Sequence, residues 1–174
     1  MSALAWLNSR PDGLGGLSKR EQELIFEFAI VWTYFEATVM GKSANAAKLV
    51  DLANELNHTN QIDMNPLLPM LQYFRERYVQ SSEEKTFTHN YEGLLLRKND
   101  QISLVNSVLL GEKDAVVDVL AVLLIIVLRF RNNLFHGEKW VYRFEGQQRN
   151  FEIAICLLIS VIDMKTVSKL SNAP

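Results

Sequence analysis

Apolar residues recur along this chain at intervals of three and four, the spacing of one face of an α-helix. At about 100° per residue, Ile25, Phe28, Trp32, Phe35 and Val39 share one face, and Glu23, Glu27 and Thr38 lie opposite. Ser18-Lys19-Arg20-Glu21, just ahead, has the Ser-x-x-Glu form of a capping box, so a long helix is expected from residue 18 to about 40, ending before Gly41. A second helix, capped by Ser43, is expected over residues 44 to about 56, followed by a polar break over 57–65. Pro66 suits the start of a third helix that runs to about Val79, because its missing N–H has no partner in a first turn anyway. The pattern is weakest over residues 81–99, which read either as a short helix around 91–96 or as an irregular loop. Asp100 is expected to cap a helix that ends near Gly111, and Asp114 to cap the next one. That next helix contains residues 119–128, an unbroken apolar run and the most hydrophobic stretch of the chain. Residues 137–146 form a connection, with an extended stretch possible at 144–146, and the last helix spans 147 to about 170. Residues 1–17, with Pro11, Gly13, Gly15 and Gly16, read as a flexible lead-in. The expected fold is all-α: a bundle of about five to six helices forming one domain over 18–174, with nothing that requires a sheet.

Composition narrows the picture in three ways. The 174 residues are 48% hydrophobic and 22% charged, which suits one folded domain with a real core and argues against disorder. Net charge is −2, so attraction to nucleic acid has to come from a local patch. Residues 129–149 offer one: Arg129, Arg131, Lys139, Arg143 and Arg149 against Glu138 and Glu145. Arg75-Glu76-Arg77 and Arg97-Lys98 read instead as solvated faces. The lone Cys156 excludes an internal disulfide and, lying in an apolar run, is expected to be a buried small hydrophobe. His58, His89 and His136 show no ligand spacing, so no metal site and no cofactor are expected. The first ten residues lack a charged start followed by an apolar core, and the 119–128 run falls short of the roughly 18 residues that cross a bilayer. A cytoplasmic protein without membrane contact is expected, and the sequon at Asn57-His58-Thr59 then carries no weight.

The chemistry collects where the apolar helix ends, in Arg131-Asn132-Asn133-Leu134-Phe135-His136-Gly137. Arginine is permanently charged and forks onto phosphate oxygens. Histidine exchanges a proton near neutral pH. Together they are the groups that cleave RNA without a metal. Arg131 and His136 are five apart, about 140° around a regular helix, so their convergence needs a distorted last turn or a second subunit. Asn132 and His136 are four apart and share a face. On the first long helix, Glu36 falls on the apolar side, beside Ile25, Ala29 and Trp32, where an unpaired carboxylate is costly. Either that helix packs on the motif helix and Glu36 orients Arg129 or Arg131, or Glu36 lies at the edge of the stripe and reaches water.

The motif resembles that of the HEPN superfamily (higher eukaryotes and prokaryotes nucleotide-binding domains). Its pattern is Arg, four to six residues, then His, usually with Asn, Asp or His after the Arg. The Arg131–Gly137 string is similar to the form in short stand-alone prokaryotic members, and Trp32-Thr33-Tyr34-Phe35-Glu36 is similar to their aromatic-Phe-Glu segment. The resemblance covers residues 18 to about 170, but its specific part is the motif and that echo. It implies a HEPN-like bundle that dimerises through the motif helix, so that two Arg and two His line one cleft. It also implies a metal-independent endoribonuclease in which the ribose 2′-OH attacks the adjacent phosphorus, leaving a 2′,3′-cyclic phosphate and a free 5′-OH.

In that frame His136 removes the 2′-OH proton or protonates the leaving 5′-oxygen, and Arg131 stabilises charge on the non-bridging oxygens. Asn132 bonds a phosphate or fixes the His136 tautomer. Arg129, Asn133 and Lys139 are candidate substrate contacts, and Glu36 is the candidate orienting residue. The implied partners are a second copy of the chain, an RNA substrate, and an antitoxin or regulatory protein in a toxin or anti-phage setting. One toxin subgroup carries a modified Tyr two residues after the His. Here that position is Glu138, and Tyr142 comes later, so control of that kind is not implied. The alternatives are a non-catalytic HEPN module that binds RNA, a nucleotide or a partner protein, and a purely structural bundle. Against these stands the plain reading of Arg131 and His136 as cations at a helix C-terminus, placed there by the macrodipole. Trp140 and Tyr142 are core or interface residues or, alternatively, base-stacking ones.

Overall fold

Ser18 opens the first long helix as its spacing predicts. Its hydroxyl accepts from Glu21 N at 3.2 Å, and Glu21 Oε2 accepts from Ser18 N at 2.9 Å, the reciprocal pair of a capping box. A computed structural model describes residues 1–10, 13–80, 84–135 and 146–171, with residues 168–171 described by backbone alone. Among these residues the chain forms eight helices: α1 (Ala3–Asn8), α2 (Lys19–Thr38), α3 (Ala46–His58), α4 (Leu67–Tyr78), α5 (His89–Glu92), α6 (Ile102–Leu110), α7 (Val116–Phe135) and α8 (Gln148–Ser171). The six longer ones are those that the periodicity predicts. The two additions are short. The lead-in folds its first residues into α1 and buries Leu14 and Leu17, and the weakly patterned 81–99 region contains the single turn α5. The only β pairing among the described residues is an isolated bridge between Val79 and Phe87.

α7 is the centre of the bundle. Every residue from Val119 to Phe130 is buried, which a helix apolar on all sides requires. α3 packs along it, α4 and α6 lie against it, and α8 touches it while pairing with α2. Aromatic contacts close the layers. Phe28 of α2 lies 5.2 Å from Phe151 of α8, and Phe74 of α4 lies 5.9 Å from Phe130 of α7, centroid to centroid. One expectation changes here: α2 packs chiefly on α8 rather than on the motif helix, while neighbouring helices cover the body of α7. Its two ends reach the surface: residues 116–118 are half-buried, and at the last turn Phe135 is 55% exposed.

Local details also depart from expectation, several because another partner competes. Asn45, not Ser43, caps α3: its side chain accepts from Lys48 N at 3.0 Å, while the Ser43 hydroxyl takes the Lys48 ammonium at 2.6 Å. α6 is entered through Gln101 in the left-handed conformation, with no side-chain cap, because Asp100 is drawn inward to Arg129. Asp114 lies two residues ahead of α7 and takes Arg75 at 2.6 Å. Arg75 also donates to the Val108 carbonyl, and Lys85 to that of Leu110, so two cations cover the negative end of α6. Cys156 is exposed, not buried, on an outward face of α8 together with Ile159. No described helix is long and apolar enough to cross a membrane.

Ser18→Ala is expected to lower the unfolding free energy by about 1 kcal/mol at neutral pH, read as a lower urea midpoint at unchanged slope. Hydrogen bonds to the Ser18 side chain and then its backbone hold the Glu21 carboxyl below its ordinary pKa. Its contribution is therefore complete above the unfolded-state pKa and lost as pH falls through the lower folded value. The gap between wild type and variant should narrow in acid, and a gap constant with pH would remove Glu21 from the box.

Candidate functional site

Arg131 leaves the buried length of α7 at its last turn, with its side chain 30% exposed. Four side chains surround the guanidinium. Nη2 lies 3.7 Å from Glu36 Oε2, Nη1 donates to Asn132 Oδ1 at 3.1 Å, and Cζ sits 5.4 Å from the Phe135 ring centroid and 5.9 Å from that of Trp32. Nε is buried and makes no hydrogen bond. The cation is thus steered by one carboxylate and two ring faces while part of its surface stays open to an anion.

Of the two arginines open to Glu36, the structure takes Arg131. The carboxylate does more than pair with it. Oε2 accepts from Trp32 Nε1 at 3.2 Å, one helical turn back, and Oε1 accepts from Ala44 N at 2.9 Å. Ala44 comes back under Glu36 because the chain reverses through Gly41 (φ 62°) and Lys42 (φ 76°), whose N–H donates to the Glu36 carbonyl at 2.9 Å. Glu36 therefore ties together α2, the turn into α3 and the motif turn. Each bond uses a lone pair that burial would otherwise leave unmet.

Arg129 and Asn133 behave differently. Arg129 is 2% exposed: Nε donates to the Leu94 carbonyl at 3.1 Å, Nη1 lies 3.2 Å from Asp100 Oδ2, and Nη2 reaches Asn133 Oδ1 at 3.5 Å. Asn133, also 2% exposed, donates to the Leu94 carbonyl at 3.2 Å and reaches that of Gly93 at 3.4 Å. Asp100 also accepts from Arg97 N at 2.7 Å. Burial pulls the Arg129 pKa below its ordinary value, and Asp100 pushes it back up. Both residues were candidate substrate contacts. Both are buried here and fasten the 93–100 loop to α7.

The motif thus divides by face. Arg131 and Asn132 come together at the surface, while Arg129 and Asn133, four apart, come together inside. Position 131 is about 200° from position 129 on a helix, so the wheel separates them, and this signal was readable in the sequence. Trp32 was missed as a partner of the site, although it lies four residues before Glu36. Asp100 as the partner of Arg129 had no local signal. His136 and Lys139 lie outside the described residues, as do Trp140 and Tyr142. Among the described residues no group of three or more His, Cys, Asp or Glu could hold a metal ion. Comparison with protein-family models, curated proteins and solved structures finds no match to this chain.

A double-mutant cycle with Glu36→Gln and Arg131→Met should give a coupling energy of about 0.5–1 kcal/mol, a range that allows for the partial exposure of the pair. Additive effects would mean that Glu36 holds Ala44 and Trp32 but does not orient the arginine.

Proposed function

We propose that the protein is a metal-independent endoribonuclease of the HEPN type, working as a homodimer in a toxin or anti-phage setting under an antitoxin or regulatory partner. The observation that carries this reading is the posture of Arg131: a cation that Glu36 steers, partly open to solvent, five residues ahead of His136. A guanidinium tied on both sides by carboxylates would be spent; this one keeps a side free for a phosphate oxygen.

In the proposed reaction the 2′-oxygen forms a bond to phosphorus as its proton passes to a base. The bond from phosphorus to the 5′-oxygen breaks, and that oxygen takes a proton from an acid. Two imidazoles, one from the His136 of each subunit, serve as base and acid. Arg131 stabilises the charge that develops on the non-bridging oxygens. Asn132 holds Arg131 through its Oδ1 and presents its amide toward the substrate. Lys139 remains a candidate phosphate contact; Arg129 and Asn133 do not. The dimer forms at the outer end of α7, near Phe135, not along the buried body of the helix.

Incubation with total RNA and tRNA in EDTA tests this directly. Wild type should leave 2′,3′-cyclic phosphate ends, and Arg131→Ala and His136→Ala should lose at least about a hundredfold in rate while keeping their circular dichroism. Absence of cleavage by a well-folded wild-type dimer would move the reading to a non-catalytic binding module.

A further inference from the structure

Beside the motif turn runs a groove of about 580 Å³. The start of α3 forms one wall, the 97–101 loop forms the other, and the floor is α7 at Arg129 and Asn132. It opens onto the Arg131 site at two points. Asn132, on its floor, accepts from Arg131, and Ala44, on its wall, donates to Glu36. An extended chain that leaves Arg131 has this groove as its neighbouring path.

The groove's charge suits an anion. Arg97 and Lys98 line it, are exposed, and their side chains enter none of the ion pairs among the described residues. The one acidic lining residue, Asp100, is already committed to Arg129 and to the Arg97 backbone N–H. Below it, the buried Arg129 has an Nη1 that is ion-paired to Asp100 yet makes no hydrogen bond. The first turn of α3 adds N–H groups without intrahelical acceptors at Ala46 and Ala47, at the positive end of a 13-residue helix. On a chain of net charge −2, this is a local concentration of positive potential.

The groove's shape and lining narrow the ligand further. Its volume falls in the range of sites that take one small molecule, enough for a nucleotide of a single strand and too little for a duplex. No aromatic side chain lines it, so bases have no stacking platform there and recognition falls on the backbone. We infer that this groove is a backbone subsite for single-stranded RNA, in which Arg97 and Lys98 neutralise the phosphates that flank the one held by Arg131. This inference rests on the ribonuclease reading and assigns a binding task to two residues that the sequence presents only as a solvated pair.

The test compares wild type with the double variant Arg97→Gln, Lys98→Gln. The binding probe is a short 2′-O-methyl oligonucleotide, which cannot be cleaved, titrated over a range of salt concentrations. The cleavage probe is a dinucleoside monophosphate, too short to enter the groove. The double variant should bind the oligonucleotide about tenfold more weakly at low salt, with the slope of log affinity against log salt reduced by about 1.4, or about 0.7 for each lost phosphate contact. Dinucleotide cleavage should not change. Unchanged affinity and slope, with dinucleotide cleavage intact, would overturn the subsite and leave the ribonuclease reading standing. The predicted binding loss in a protein that cleaves nothing would keep the subsite and overturn the ribonuclease. Equally tight binding of polyglutamate, lost in the same variant, would overturn the RNA assignment in favour of an acidic protein segment.

Discussion

A buried guanidinium must find a partner for its charge, and the rest of this structure depends on how Arg129 does so. With 2% of its surface exposed, it reaches Leu94, Asn133 and Asp100, which lie on two different parts of the chain. Its bonds to Leu94 and Asp100 fix the 93–100 segment, which has only a single helical turn at α5 to hold its own shape. That fastening places Arg97 and Lys98 on one side of a groove and frees α6 to start at Ile102 without a side-chain cap. Removing one member of such a buried group leaves another uncompensated, which costs far more than the group contributes as an intact whole.

Two residues further along, the same helix does the opposite with Arg131. Glu36 accepts from Trp32 and Ala44 and then offers what remains of its charge to the guanidinium at 3.7 Å. Ring faces on two sides restrict the cation without neutralising it. A preorganised cation of this kind stabilises developing negative charge with little reorganisation, which is what phosphoryl transfer asks of a protein. The two arginines are close in sequence and differ in surroundings because about 200° of helix separates them.

Local rules carried much of the fold. The Ser18–Glu21 box, the three-and-four spacing in α2 and the apolar run of α7 each encode their structure within a few residues, and each was legible. What was hidden depended on which partner or surface each side chain meets once the helices pack. Asp100 reads as a cap until Arg129, 29 positions away, draws it inward. Ser43 reads as a cap until Lys48 takes its hydroxyl and Asn45 caps α3 instead. Cys156 lies in an apolar run yet faces out, because α8 packs chiefly on α2 and turns the side with Cys156 and Ile159 outward. The central placement of α7 is also a tertiary fact: a run of ten apolar residues says that a helix is buried but not that it is surrounded. At the site, the Glu36 pairing was half legible, since burial of a carboxylate demands a partner without naming which arginine. The separation of Arg129 and Asn133 from Arg131 was present in the helical wheel.

The division of the two arginines is the central claim, and one paired comparison tests it most directly. Arg129→Met and Arg131→Met should be measured side by side for unfolding free energy and for cleavage of RNA in EDTA. Arg129→Met should lose about 3 kcal/mol or more of stability, because it leaves Asp100 buried and unpaired. Arg131→Met should stay within about 1 kcal/mol of wild type and lose cleavage. A stable Arg129→Met, or an Arg131→Met that unfolds as readily as it loses activity, would contradict the account.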